Sequence, residues 1–312
     1  MSEAPITVPT ERGRALVRGA YDLHVHVDPD VVGRIVDDVT LAERCALHGL
    51  AGFGLKSHYT STAERARTVT ATAPAGVRAV GAITLNAAVG GLNPLAVEIA
   101  AREGARIVWL PTVDAVNELG ARDRRYAPGV HVPMWVAIQQ ELREAGIETP
   151  AVPVVNGGGT PTAALLSVLA VVAQHQLVLA TGHLDRDEIF AVVRAARDAG
   201  VRDVVVTHPE FPSQDLSVAD QVALTEQGAI LERCFTTPFT GKCSFAHVAD
   251  GIRATGAERN LLSTDLGQPR NPPVEDGLAL FADRLLELGL TDEEIQTMTV
   301  HQSRRLADGD DR

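Results

Sequence analysis

The chain has 312 residues, 45% of them hydrophobic and 22% charged, with a formal net charge of −12 at pH 7. That length suits one barrel-sized domain or two average ones, and the acidic balance speaks against a nucleic-acid surface, which needs a basic patch. The N-terminal "MSEAPITVPTERGRALVRG" lacks the apolar core of a signal peptide, and Cys45, Cys234 and Cys243 show neither disulfide nor metal spacing, so a cytoplasmic protein with reduced thiols and no membrane attachment is expected.

In chain order, short apolar runs alternate with helical patterns. The first strand is expected over 19–25, ending in "AYDLHVHVDPD", and the next three over 51–56, 78–85 and 106–111. Their runs are continuous rather than alternating, as suits parallel strands covered on both faces. Roughly 65 residues then intervene, about double the usual unit, with one helix expected over 133–145. This 113–160 insertion follows a strand, so it should emerge at the end of a parallel barrel where active sites are built, as a lid or recognition segment. Within it, "VNGGGTP" (155–161) reads as a loop, and His131, Trp135 and the arginines of "ARDRRY" are candidate lid residues. "AALLSVLAVVA" at 163–173 is too short to span a bilayer and reads as a buried helix, with Thr160 as its cap and Pro161 at its first position. Further strands are expected over 177–182, 203–207, 229–233 and 260–264. Asp185 and Glu188 have the spacing of a capping box, Gly200 suits the end of that helix, and "ADGDDR" (307–312) reads as an acidic tail. Eight strand-plus-helix units imply a single (β/α)8 barrel over 1–312.

The chemistry-bearing residues fall at the ends of these strands. His24 and His26 are two apart and so share a face. His183 follows the fifth strand, His208 the sixth, and Asp265 the eighth ("NLLSTDLG"). In a parallel barrel these ends form one rim, and imidazole with carboxylate is a ligand set that suits zinc, iron or manganese. At the second strand end, "GLKSHYTSTAERA", Lys56 and His58 are likewise two apart; a lysine in an apolar strand is costly to bury unpaired. His58 is a ligand, a substrate contact, or the cap of a helix starting near Thr60. Glu232, Arg233 and Cys234 close the seventh strand; Glu232 and Arg233 face opposite ways, so one of them at most should reach the cavity, and Arg233's planar fork would suit a substrate carboxylate or phosphate.

The ordered set His-x-His, His, His, Asp on strands 1, 5, 6 and 8 resembles the amidohydrolase superfamily of metal-dependent TIM-barrel hydrolases. "LKSHYTSTAERA" resembles a small, poorly characterised branch of it, whereas "HQSRRL" near the C-terminus departs from the usual terminal segment. The resemblance implies that His24, His26, His183 and His208 are metal ligands and that Asp265 is both a ligand and the acceptor of the proton of the attacking water. It implies one or two divalent ions per chain, Zn2+ first, with Mn2+ or Fe2+ as alternatives. Binuclear relatives bridge two metals with a carboxylated lysine or a glutamate on strand 4; here "VWLPTVD" offers neither, and Asp114 is the nearest acid. Lys56 therefore has three readings: a carboxylated bridge, a cation holding an anionic substrate or oxyanion, or a structural ion-pair partner. The implied activity is hydrolysis of an amide, ester or lactone-like bond of a small molecule. Metal-assisted decarboxylation and phosphoester hydrolysis are rivals on the same scaffold, a non-catalytic metal-binding barrel is a third, and a homo-oligomer is left open.

Overall fold

A computed structural model, describing residues 8–122 and 134–309, lays eight parallel strands side by side in sequence order. They are β1 (Tyr21–Val25), β2 (Gly52–Leu55), β3 (Arg78–Thr84), β4 (Ala105–Trp109), β5 (Val178–Ala180), β6 (Asp203–Thr207), β7 (Ile230–Cys234) and β8 (Asn260–Ser263). The pleat sorts each apolar run between two cores. Ile107, Trp109, Ala180, Val205, Ile230 and Leu261 point inward and fill the barrel. Their neighbours Val108, Leu179, Val204, Val206 and Leu231 pack outward against helices. This double burial is why the strands read as continuous apolar runs.

The barrel closes between β8 and β1. The Asp265 amide donates to the His24 carbonyl and the His26 amide to the Leu266 carbonyl, both at 2.8 Å, and Val25 bridges Leu266 in parallel. Gly267 makes the seam possible: its φ is +132°, and a Cβ there would sit 1.7 Å from the His26 carbonyl oxygen. The opposite end is stoppered by the helix Gln302–Asp308, whose Leu306 and Ala307 join the inner core. Tyr21 N–H donates to Ser303 Oγ (2.9 Å), Arg106 Nε to the Leu306 carbonyl (2.7 Å) and Arg78 Nη2 to the Ala307 carbonyl (2.8 Å). Chemistry is thereby confined to the mouth at the C-terminal ends of the strands.

The Asp185–Glu188 capping box forms and starts the helix Arg186–Asp198. The cap assigned to Thr160 is corrected to Thr162, whose hydroxyl accepts from Leu165 N–H at the start of the helix Ala163–Gln174. Thr160 is used instead by a turn, its carbonyl accepting from Asn156 N–H at 2.9 Å, while Pro161 bridges Val155. The helix expected near Thr60 starts at Ala63 after Thr62. The insertion helix runs Met134–Glu144 and is moored by Gln139, which donates to Asp114 at 2.7 Å. The arginine-rich segment from 123 onward, His131 and the tail residues 310–312 lie outside the described residues. Among the described residues no helix is long and apolar enough to cross a membrane.

Candidate metal centre

The seam between β8 and β1 is also where the chemistry gathers. Its interleaved hydrogen bonds set Asp265 beside His24 and His26, and Asp265 Oδ1 lies 3.2 Å from both His24 Nε2 and His26 Nε2. Asp265 takes φ +55° as the chain leaves β8, a left-handed turn that Asp tolerates better than most residues. His183 after β5, His208 after β6 and His58 after β2 complete a closed circuit. Ring centroids are 5.7 Å apart for His24–His26, 5.0 Å for His26–His58, 6.1 Å for His58–His183, 5.1 Å for His183–His208 and 6.2 Å for His208–His24.

Three of the rings are held from outside by a hydrogen bond at Nδ1. Glu232 Oε2 lies 3.1 Å from His24 Nδ1, Gln214 Oε1 3.1 Å from His208 Nδ1, and Thr112 Oγ1 2.8 Å from His58 Nδ1. Glu118 Oε1 faces His183 Nδ1 at 2.9 Å, and Ser213 Oγ donates to that same carboxylate oxygen at 3.0 Å. A carboxylate only accepts, so Glu232 draws the His24 ring proton to Nδ1 and leaves its Nε2 lone pair facing the mouth, whereas Glu118 lies beside His183 Nδ1 without hydrogen-bond geometry. His26 differs, because its Nδ1 is approached at 3.4 Å by Arg34, a group that only donates. Arg34 is itself neutralised by Asp30 at 2.6 Å.

The charges favour a cation here. Burial lowers His26 to about 3, so its ring is neutral at physiological pH. Burial likewise takes His58 and His208 well below their ordinary value, helped by the neighbouring His26 and His183 respectively. At His24, burial and Lys56 press downward, but Glu232 and Asp265 outweigh them and raise it: the space between these two carboxylates attracts positive charge. Burial pushes the Asp265 carboxyl up, yet His24 and His26 hold it well below the usual carboxylate range. Imidazoles held at Nδ1 by outer acceptors, as at His24, His58 and His208, beside an ionised carboxylate, fit a first-row divalent ion. The ligand-type atoms of His24, His26 and Asp265 all lie within 4.8 Å of one another.

Lys56 enters this group from β2. Its Nζ is 2.8 Å from His24 Nε2 and 5.4 Å from the centroid of Trp109, the inward-facing end of β4. Burial lowers its pKa against the pull of Asp265 and Glu232. Asp114, the acid nearest the end of β4, is engaged elsewhere, accepting from Ala87 N–H (2.8 Å) and from Gln139. The seventh strand needs a correction. Arg233 faces the helix layer, fully buried, where it pairs with Glu210, bonds Gln221 and Asn260 at 2.7 Å each, and so does not meet the mouth. Glu232 does face inward, but to His24 rather than to a substrate. Cys234 faces inward as well, its Sγ 3.6 Å from His24 Nδ1. Trp135 is half-buried on the insertion helix.

With this geometry in view, a family model matches residues 19–232, more than half of the chain: DUF6282, a family of unknown function. The chain belongs to DUF6282. No curated protein matches it. Among solved structures, this DUF6282 member is similar to an amidohydrolase from Pseudomonas aeruginosa at TM-score 0.61 and 11% identity, over 96% of this chain and 99% of that one. It is similar to a putative 2-pyrone-4,6-dicarboxylic acid hydrolase from Pseudomonas putida at TM-score 0.57 and 16% identity, over 94% and 99%. A metallo peptidase from Rhodobacter sphaeroides gives TM-score 0.57 and 14% identity, also over 94% and 99%. At these identities the likeness shows the fold alone, a (β/α)8 barrel.

Two residues that lie against the outer nitrogens of the rings carry no signal in the sequence. Glu118 sits in the insertion at the short helical turn Val116–Glu118, and Gln214 lies in the loop after β6. Neither stands in a periodic segment or a motif, so only the folded chain brings them to His183 and His208. Glu118→Gln is expected to weaken metal binding by about 10–100-fold, the usual cost of losing an outer-shell partner. Competition against a chromogenic chelator measures it, and unchanged affinity would remove Glu118 from the site.

Proposed function

We propose that this DUF6282 member is a metal-dependent hydrolase cleaving an amide, ester or lactone-like bond of a small molecule. The observation that carries the reading is the circuit of five imidazoles beside Asp265, with His24, His58 and His208 held at Nδ1 from outside. The names of the similar structures, an amidohydrolase, a pyrone dicarboxylate hydrolase and a metallo peptidase, support the same class.

His24, His26 and Asp265 would hold one ion, and His183 with His208 the other side of the mouth. When bound, such an ion supplies Lewis acidity to the scissile carbonyl and to the attacking water. The chain's own residues do the rest. Asp265 accepts the proton of the attacking water and returns it to the leaving group. Thr236 Oγ1 donates to Asp265 Oδ2 at 3.2 Å, which steadies the carboxylate while Oδ1 faces the rings. Glu232 keeps His24 in the tautomer whose Nε2 faces inward. Trp109 and Phe211, packed against His24 and His208, keep one wall of the site dry.

Lys56 decides how many ions fit. An ammonium 2.8 Å from a ligand nitrogen repels a divalent ion, whereas a Lys56 that had given up its ammonium proton, added CO2 at the neutral amine and released a second proton would offer a carboxylate to a second ion. Elemental analysis of protein purified without added metal tests this directly. We expect a ratio near two per chain for the wild type and near one for Lys56→Ala. A ratio near one in both leaves Lys56 as a cation and favours the rival in which the metal positions a substrate that loses CO2. A wild-type ratio near zero that reconstitution with Zn2+, Mn2+ or Fe2+ does not restore would sink the metal-dependent reading altogether.

A further inference from the structure

The segment following β7 brings one more cation to the mouth. Lys242, in the turn between the helices Thr236–Phe239 and Phe245–Thr255, holds its ammonium over the ring of Phe211, 4.8 Å from the centroid. That ring in turn lies 4.8 Å from the centroid of His208 and 6.3 Å from that of His183. The lysine is thus one aromatic ring removed from two histidines of the circuit. Burial lowers its pKa, and the strongest opposing influence is the charge of Asp265, which places the ammonium within the field of that carboxylate.

The cations around the site differ in how their charge is met. Arg34 is paired with Asp30, Arg233 is buried behind the barrel with Glu210, and Lys56 lies against His24 under the pull of Asp265 and Glu232. Lys242 donates to Thr240 Oγ1 at 2.9 Å, and among the described residues no carboxylate lies within 4.0 Å of it. An exposed ammonium on an aromatic face beside a reaction centre, with donors to spare, is a receptor for an anion.

We propose that Lys242 receives a carboxylate of the substrate, so that the substrate is a small organic acid whose scissile bond lies over Asp265. This rests on the hydrolytic reading above. A carboxylate suits the site better than a phosphate, because Lys242 is a single point charge and the guanidinium forks nearby are engaged by acids. A phosphate dianion would call for a free fork as well.

Two measurements on the metal-loaded protein test it. In the first, 4-nitrophenyl acetate is compared with the 4-nitrophenyl monoester of glutaric acid. The wild type should prefer the acid by about tenfold or more in kcat/KM, Lys242→Gln should collapse that preference, and Lys242→Arg should retain most of it. Hydrolysis of both esters with a preference that Lys242→Gln leaves intact would overturn the assignment. The second measurement needs no turnover. Glutarate should bind the wild type at least about tenfold more tightly than butyrate by calorimetry, and Lys242→Gln should erase that difference. Equal binding of the two acids to the wild type would overturn the proposal even if the protein is a hydrolase. Glutarate binding through Lys242 without hydrolysis of either ester would instead uphold it and fail the hydrolytic reading. Tighter binding of 3-phosphonopropionate than of glutarate would replace the carboxylate by a phosphate-type group.

Discussion

Asp265→Asn is expected to lower turnover by about a thousandfold while His24 and His26 continue to hold metal. Loss of a positioned proton acceptor costs about 10²–10⁴ in rate, and an amide cannot take a proton from water. The substitution is unusually clean at this position. Asp265 sits at φ +55°, and Asn is one of the few residues that adopts this conformation readily, so the turn out of β8 and its two seam hydrogen bonds survive. Asn also keeps an oxygen toward the His24 and His26 rings. The check pairs kcat on an activated ester with metal content per chain. Near-normal turnover would take the proton-transfer role away from Asp265, and loss of all metal would show that its carboxylate is needed to bind the ion rather than to move a proton.

The largest effect on stability is expected behind the barrel wall. Arg233 and Glu210 form an ion pair whose side chains are 0% and 1% exposed. Arg233→Met removes one partner and leaves the Glu210 carboxylate buried without its cation, at a cost of about 3–5 kcal/mol. For a domain of this size that lowers Tm by roughly 10 °C. Replacing both, Arg233→Met with Glu210→Met, should recover most of the loss, since a matched apolar pair is close to neutral in such positions. Calorimetry on the two single variants and the double variant gives the cycle. If the double variant is no more stable than the singles, the cost comes instead from the Gln221 and Asn260 bonds of Arg233. The pair also anchors the turn that follows His208, which is at φ +28°, so metal content should fall together with Tm in Arg233→Met.

Much of this architecture was legible in the residues. All eight strands stand within a few residues of the apolar runs that announce them, because a strand covered on both sides has no polar face to interrupt the signal. The His24, His26, His183, His208 and Asp265 set could be placed on one rim by counting from strand ends. What stayed hidden depends on contacts between distant segments. Alternation said that only one of Glu232 and Arg233 could face inward, yet it could not say that a charged fork would be the one sent outward. The answer lies in Glu210, Gln221 and Asn260, which come from three other parts of the chain. Glu118 and Gln214 were invisible for the same reason. The two-residue error at Thr160 is of another kind: Thr160 and Thr162 are equally good caps in sequence, and the turn beginning at Asn156 decides between them.

The stoppered end of the barrel has a consequence for how the chain can be divided. Tyr21 and Ser303 are 282 positions apart and share a hydrogen bond, and Leu306 fills the inner core beneath Tyr21 and Leu23. Contacts this far apart in sequence form only after a large loss of chain entropy, so they come late and the barrel seals as one unit. The family match ends at residue 232, short of Asp265, the seam and the stopper. A fragment trimmed to that boundary would leave an open sheet edge at β1 and an apolar floor exposed to water, a template for self-association. The boundary that marks kinship is therefore no guide to the smallest piece that folds.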